Sequence, residues 1–326
     1  MDNAERSQSS PPTNHTDRSG PTERSESRGP SEGGARFAAA RTARPGELRE
    51  SGADLRSAEQ QGDAESEFPG FSEITYHEYT REGVAATQGP VISESFVCLY
   101  LNGAELATLM ASPSDAVELV IGFLRSEGLI ESPDDPEEIV PAPNRRCVDV
   151  WLKDKSVRAP GRRIVTSGCG GGVTFEDVRN RREPITTDMR IEADALIALM
   201  AEFTRPVEPR GKTRGLHAAA LSDGSTIMLK REDIGRHNAI DRLWGAAMLE
   251  HVETAGRFLM STGRISSEML MKAARMRTPI VASRTTPTSL TVRLAREWNI
   301  TLVGYVRSHL LRVYSHPERI AGAISE

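Results

Sequence analysis

No run of 18 apolar residues occurs anywhere in this 326-residue sequence, so nothing in it predicts a membrane-crossing helix. The chain opens Met1-Asp2-Asn3-Ala4-Glu5 with no apolar stretch behind it, and a secretory signal is not expected. A basic excess is missing as well. The 41 Lys and Arg stand against 46 Asp and Glu, a net charge of −5, whereas nucleic-acid binders carry a basic footprint. Cysteine is scarce: Cys98, Cys147 and Cys169 are odd in number and follow no disulfide framework. That pattern suits a reducing compartment, and the expectation is a soluble cytoplasmic protein. No second cysteine sits at metal-ligand spacing and the histidines are scattered, so no resident metal is expected.

Apolar residues are short in one region above all. They make up 14 of the first 68 positions, too few to offset the entropy of ordering that segment. Residues 1–68, rich in Ser, Pro, Gly, Arg and Glu, are therefore read as a disordered tail. Order is expected from about Ile74. Ser95–Leu101 reads as a strand and Asn102-Gly103 as a hairpin signal. A helix should follow, with Ser112 as N-cap, Pro113 in the first turn and Asp115 complementing the dipole. Val117, Val120, Ile121 and Leu124 give it one apolar face, and Gly128 ends it. With strands at 147–153 and 162–166, residues 69–165 form a smaller α+β domain. A glycine-rich loop and linker, expected to be mobile, occupies 166–189.

From residue 190 the pattern becomes α/β. A helix at 193–203 precedes a hairpin, 217–221 with 226–230, across Asp223-Gly224. Helix 237–251, strand 258–261, helix 266–276, strand 280–282, helix 289–298 and strand 301–306 then alternate. Such alternation predicts a layered α/β domain over 190–326, with mainly parallel pairing after the hairpin.

Three constellations carry chemistry. The first is Cys169 in Ser167-Gly168-Cys169-Gly170-Gly171-Gly172. Flanking glycines leave the thiol uncovered and let the loop adopt positive φ. Arg162, Arg163, Arg179, Arg181 and Arg182 lie near it in sequence, and basic neighbours favour the nucleophilic thiolate. The residues admit either sulfur or redox chemistry, or a structural turn with an incidental thiol. Cys98 and Cys147 sit in apolar strand patterns and read as inert buried cysteines. The second constellation is Arg231–Asp241, where seven of eleven residues are charged or are His or Asn; Arg236 and His237 are its candidate binding groups. The third comprises the predicted strand ends: Ser261–Arg264, Ser283–Ser289 and Gly304–Arg307. Ligands of open α/β sheets bind at the carboxyl ends of strands. Arginines, hydroxyls and helix N-termini there suit a phosphorylated ligand, which makes Arg264, Ser283, Arg284 and Ser289 candidates.

The run Glu232-Asp233-Ile234-Gly235-Arg236-His237-Asn238-Ala239-Ile240-Asp241 resembles a signature of the formate dehydrogenase accessory sulfurtransferases, the FdhD-like sulfur carriers. Ser283-Arg284 with Pro287–Leu290, Thr301–Gly304, His316–Arg319 and the segment from Asn102-Gly103 through Glu127-Gly128 resemble that family too. The likeness covers roughly residues 75–320. It implies a sulfurtransferase that takes sulfur from a cysteine desulfurase as a Cys169 persulfide. It also implies transfer to the molybdenum (or tungsten) bis-pterin guanine dinucleotide cofactor, for insertion into apo-formate dehydrogenase. Further implications are a homodimer, a cytidine-deaminase-like C-terminal domain, and a cofactor-binding segment Tyr305, Val306, Arg307, Ser308, His309 and Leu310. Deamination itself is not expected. His217-Ala218-Ala219 lacks the glutamate that zinc deaminases use, and no Pro-Cys-x-x-Cys occurs. The sequence also departs from the family: many members have a second cysteine three positions after the first, and here that position is Gly172. A mechanism that needs both thiols is not available to this loop. The rival reading is a cofactor chaperone that moves no sulfur.

Overall fold

The computed structural model describes residues 70–143, 146–158, 164–165, 173–174, 182–206 and 215–324. The expected tail, residues 1–68, lies outside them. β1 (Phe71–Thr80) and β2 (Gly83–Ile92) form an antiparallel ribbon. It carries exposed Ile74, Tyr76, Tyr79, Val84 and Val91. β3 (Ser95–Leu101) and β4 (Ala104–Ala111) follow. Their turn is made by Asn102 and Gly103, both at positive φ, 51° and 77°, as a type I′ hairpin requires.

α1 (Ala116–Ser126) starts three residues later than its apolar pattern and capping signals predict. Its N-cap is Asp115, in the left-handed region and without a side-chain capping bond. Ser112 is drawn away by tertiary contacts: its N–H donates to Asp233 Oδ2 (3.2 Å), and its Oγ accepts from Ile234 N (3.2 Å). Gly128, at φ 73°, ends the helix as expected. β5 (Pro136–Pro141) and β6 (Cys147–Leu152) complete a four-stranded sheet of order β4-β3-β6-β5, with β3 and β6 parallel. β7 (Ile164–Val165) and β8 (Val173–Thr174) are a short antiparallel pair.

β9 (Ile191–Glu192) leads into α2 (Ala193–Phe203). β10 (His217–Ser222) and β11 (Ile227–Asp233) form the expected hairpin. Then come α3 (Arg236–Leu249), β12 (Phe258–Ser261), α4 (Ser267–Arg275), β13 (Ile280–Ser283), α5 (Ser289–Glu297), β14 (Thr301–Arg307) and β15 (Leu310–Ser315). A 3-10 turn at Pro317–Arg319 precedes β16 (Ile320–Ala321), which pairs with β9. The larger sheet has the order β11-β10-β12-β13-β14-β15. β12, β13 and β14 are parallel neighbours, as the alternation predicts.

Alternation along these strands loads both faces of the sheet. Leu259, Val281 and Leu302 point into a core shared with α1, α3 and the small sheet through Phe123, Leu124, Leu243 and Val150. Phe258, Met260 and Val303 point the other way, onto Leu196, Met200 and Phe203 of α2. Between the sheets, α1 and α3 cross at glycines. A Cβ on Gly245 would stand 1.8 Å from Glu118 O, and one on Gly122 would stand 1.7 Å from Asp241 O. Both obstacles are backbone, so neither can swing aside. Gly245→Ala is expected to lower unfolding stability by about 3 kcal/mol, read from urea denaturation midpoints; an unchanged midpoint would refute the contact.

Candidate functional site at the carboxyl edge of the larger sheet

The loops that leave β12, β13 and β14 meet at one edge. Thr262 N donates to Ala218 O (3.0 Å), and Ala218 N donates to Thr262 Oγ1 (2.9 Å), joining the end of β12 to the start of β10. Ile265 N reaches Thr286 O (3.3 Å) and Thr288 N reaches Ile265 O (3.2 Å), tying the β12–α4 loop to the β13–α5 loop. Tyr305 N bonds to Thr285 O (3.0 Å), which brings in β14. The N-termini of α4 and α5, capped by Ser266 and Thr288, open on this edge. So does that of α3, whose cap, Gly235, has no side chain. Three helix N-termini raise the potential there and favour an anion.

Arg236, first residue of α3, is 95% buried, and its Nε has no hydrogen-bond partner. Buried guanidinium donors are ordinarily satisfied. This one packs against Gly263, where a Cβ would stand 2.9 Å from Arg236 Cβ and 3.2 Å from His217 Nδ1. Glycine is thus the residue that lets the β12 loop approach Arg236. His217 is more than half buried, and burial together with Arg236 lowers its pKa, against the pull of Asp233. His237 Nε2 lies 3.1 Å from both Ser266 Oγ and Glu268 Oε2. Burial, then Lys272, Arg236 and His217, push its pKa down to about 3. The ring is therefore neutral, and its contact with Glu268 is a hydrogen bond.

That burial has a consequence for acid stability. In the unfolded chain His237 takes up a proton near pH 6.5, but in the folded chain only near pH 3. Stability from this group is complete above about pH 6.5 and is lost as pH falls towards 3. Between pH 7 and 4.5 the wild type should lose roughly 2–3 kcal/mol more than His237→Gln. Parallel pH profiles of unfolding for the two proteins would contradict this.

The sequence candidates fall into different places on the edge. Arg264 and Arg284 are exposed on the loops described above, and Ser289 is exposed in the first turn of α5. Ser283 is fully buried and acts between loops: its Oγ donates to Gly263 O (2.7 Å) and accepts from Thr285 N (3.1 Å). Tyr305–Leu310 forms the hairpin between β14 and β15. Arg307 is paired with Leu310, and Ser308 and His309 are exposed at the tip. Tyr305 has φ 53°, and its ring lies 4.4 Å beneath the Arg312 guanidinium. Thr262 and Gly263 belong to the Ser261–Arg264 strand end named from the sequence; His217 was not among the sequence candidates. His217 reaches the edge because β10 runs antiparallel to β12, with Ala219 opposite Ser261, a pairing that local sequence does not reveal.

The polar run before and within α3 divides in two. Arg236 and His237 face the edge, while Asp233, Asn238 and Asp241 turn inward. Asp233 Oδ2 accepts from Arg242 Nε at 2.7 Å, and Asn238 Nδ2 donates to Asp233 Oδ1 (3.0 Å) and Met110 O (2.9 Å). Asp241 Oδ1 lies 2.5 Å from Lys272 Nζ, which also reaches Ser126 Oγ (3.0 Å). Burial raises the Asp241 pKa and Lys272 opposes it. Arg231 forks onto Glu118 through Nε (2.7 Å) and Nη2 (2.9 Å). These contacts fasten α1 and β4 to α3 and β11, and so fix the Gly235–Arg236 corner.

Cys169 lies outside the described residues, as do Arg162, Arg163, Arg179 and Arg181. The segment containing Cys169 leaves β7 and enters β8, where Val165 stands opposite Val173 and Ile164 opposite Thr174. Arg182, the described member of the basic group, has its guanidinium 5.5 Å from the Trp298 ring centre. Among the described residues no helix is long and apolar enough to cross a membrane.

A family model, that of the FdhD/NarQ family, matches residues 92–321. The chain is 35% identical over 248 residues to the sulfur carrier protein FdhD of Bacillus subtilis (strain 168), an alignment spanning 74% of this chain and 94% of that protein. It is 37% identical over 239 residues to the sulfur carrier protein FdhD of Staphylococcus aureus (strain MRSA252), spanning 72% and 90%. A crystal structure assigned as a formate dehydrogenase accessory protein from Desulfotalea psychrophila superposes with a TM-score of 0.63 at 26% identity. It covers 78% of this chain and 100% of that one.

Proposed function

Because the chain belongs to the FdhD/NarQ family, we propose that it is a cytoplasmic sulfurtransferase of formate dehydrogenase maturation, with Cys169 as the sulfur-bearing thiol. The Cys169 thiolate attacks the outer sulfur of a cysteine desulfurase persulfide. The desulfurase thiolate leaves, and Cys169 holds the persulfide. The acceptor substrate is the molybdenum (or tungsten) bis-pterin guanine dinucleotide, bound for apo-formate dehydrogenase. The chain acts as a homodimer, with residues 190–326 in a cytidine-deaminase-like arrangement.

The observation that carries the cofactor half of this reading is the buried Arg236 Nε without a partner, beside Gly263 and the N-terminus of α3. A phosphate oxygen supplies the missing acceptor, and charge-assisted bonds of this kind contribute about 1.5–3 kcal/mol. Arg264 and Arg284 then meet further phosphate charge from the exposed loops. The Tyr305–Leu310 hairpin stands beside them and contacts the rest of the nucleotide. His237, neutral, orients Ser266 at the neighbouring helix cap.

Sulfur loading is tested by intact mass after incubation with a cysteine desulfurase and cysteine. A gain of one sulfur atom, reversed by reductant and absent in Cys169→Ala, is expected; no gain would remove the carrier role. Guanosine diphosphate tests the edge separately. Arg236→Met should weaken its binding at least ~10-fold by calorimetry, and equal affinity would move the nucleotide elsewhere.

A further inference from the structure

On the smaller sheet β3 and β6 run side by side and parallel, with Cys98 directly opposite Cys147. Opposed residues on neighbouring strands send their side chains to the same face. Burial shows which face this is: Val97, Leu99 and Val148 fill the core, whereas Cys98 and Cys147 are only partly covered. The two thiols thus lie on the outer side of the small sheet, only partly covered where the apolar strand patterns predict buried cysteines. Tyr100 is two residues further along β3. Its pKa is raised by burial and then by Glu105, Cys98, Cys147 and Asp149, so these groups share one patch. Burial, and then the neighbouring Cys98 thiol, push the Cys147 thiol up to about 12.

Neighbouring strands lie about 4.7–4.9 Å apart, inside the ~4.4–6.8 Å between Cα atoms that a disulfide spans. Closure therefore needs side-chain rotation and no separation of the strands. Among the described residues no third His, Cys, Asp or Glu is placed to make a metal site of the pair.

We propose that Cys98 and Cys147 form a reversible dithiol–disulfide couple, a modification site for small-molecule disulfides of the oxidised-glutathione class. This goes beyond the sulfur-carrier reading and does not depend on it. The Cys98 thiolate attacks one sulfur of the oxidant, breaking its S–S bond and releasing one glutathione thiolate. Cys147 then gives up its proton to solvent base and attacks Cys98 Sγ, expelling the second glutathione. The two cysteines lose two electrons, and the oxidant gains them and ends as two thiols. Because Cys147 holds its proton, closure is faster at pH 9 than at pH 7. In the closed form Cys169 is the one remaining thiol of the chain, so the couple would leave sulfur exchange confined to that residue.

The full-length chain, incubated with oxidised glutathione, alkylated and digested without reduction, provides the test. A peptide pair joining Cys98 to Cys147, a mass loss of about 2 Da before alkylation and reversal by dithiothreitol are expected. All three should persist in Cys169→Ser. A glutathione adduct that never closes, a cross-link through Cys169, or three alkylatable thiols would each overturn the proposal. Cys147→Ser should stop at the Cys98 mixed disulfide, but the wild-type peptide map decides the matter even where that variant does not fold.

Discussion

Asp233→Ala is expected to lower the unfolding free energy by about 3–5 kcal/mol, among the largest losses available to a single substitution in this chain. Asp233 is fully buried, and Arg242, its partner at 2.7 Å, is 1% exposed. The carboxylate also accepts from Ser112 N (3.2 Å), Gly235 N (2.8 Å) and Asn238 Nδ2 (3.0 Å). Truncation strands Arg242 Nε, Ser112 N and Gly235 N, and leaves Asn238 Nδ2 with Met110 O alone. It leaves the guanidinium with only the carbonyls of Ser112, Ser114 and Asp115. A buried charge without its counter-ion is far more costly than the intact pair is stabilising. Arg242→Met with Asp233→Ala together should therefore recover part of the loss, and urea unfolding of the four proteins measures the coupling. A loss below about 1 kcal/mol in Asp233→Ala would mean that the network is dispensable. Since Asp233 also holds Gly235, the variant should bind guanosine diphosphate more weakly even where it remains folded.

The same network explains which parts of the molecule were legible in the sequence. Strands such as β3 and β12 and helices such as α2 and α4 follow local periodicity, and their bounds agree within a residue or two of the pattern. Ser112 failed as a cap because the capping preference of a serine is worth about 1 kcal/mol, less than its place in a buried ion-pair network. The ribbon of β1 and β2 gave no signal, since its strands are exposed on both faces and show no apolar alternation. At the candidate site, residue types and strand ends pointed to the correct edge. They could not separate Arg236 and His237, which face it, from Asp233, Asn238 and Asp241, which are spent inside. That separation depends on α1 and β4 packing over the helix, some hundred residues away in sequence. Cys98 and Cys147 are less covered than their apolar strands predict for a related reason. Alternation gives a strand two faces, but not which face is covered, and their opposition arises from a parallel pairing across 49 residues.

Cys169→Ala is expected to abolish support of formate dehydrogenase, whereas Cys98→Ala and Cys147→Ala should retain it. Sulfur exchange needs a thiolate as nucleophile and again as leaving group, and alanine supplies neither. Glycine at position 172 sharpens the expectation. With a second thiol nearby, a persulfide can be attacked at its inner sulfur, closing a disulfide and discarding the outer sulfur as sulfide. Gly172 offers no such exit, so the Cys169 persulfide of the wild type should outlast that of Gly172→Cys in the presence of cysteine desulfurase and limited reductant. Assay of formate dehydrogenase matured in cells carrying each variant, with intact mass of the purified carrier, reads both effects. Full maturation by Cys169→Ala would sink the sulfur-carrier reading and favour a chaperone that binds the cofactor at the Arg236 edge. Arg236→Met then becomes the informative comparison, since a chaperone fails when its phosphate contact is lost, with or without the thiol.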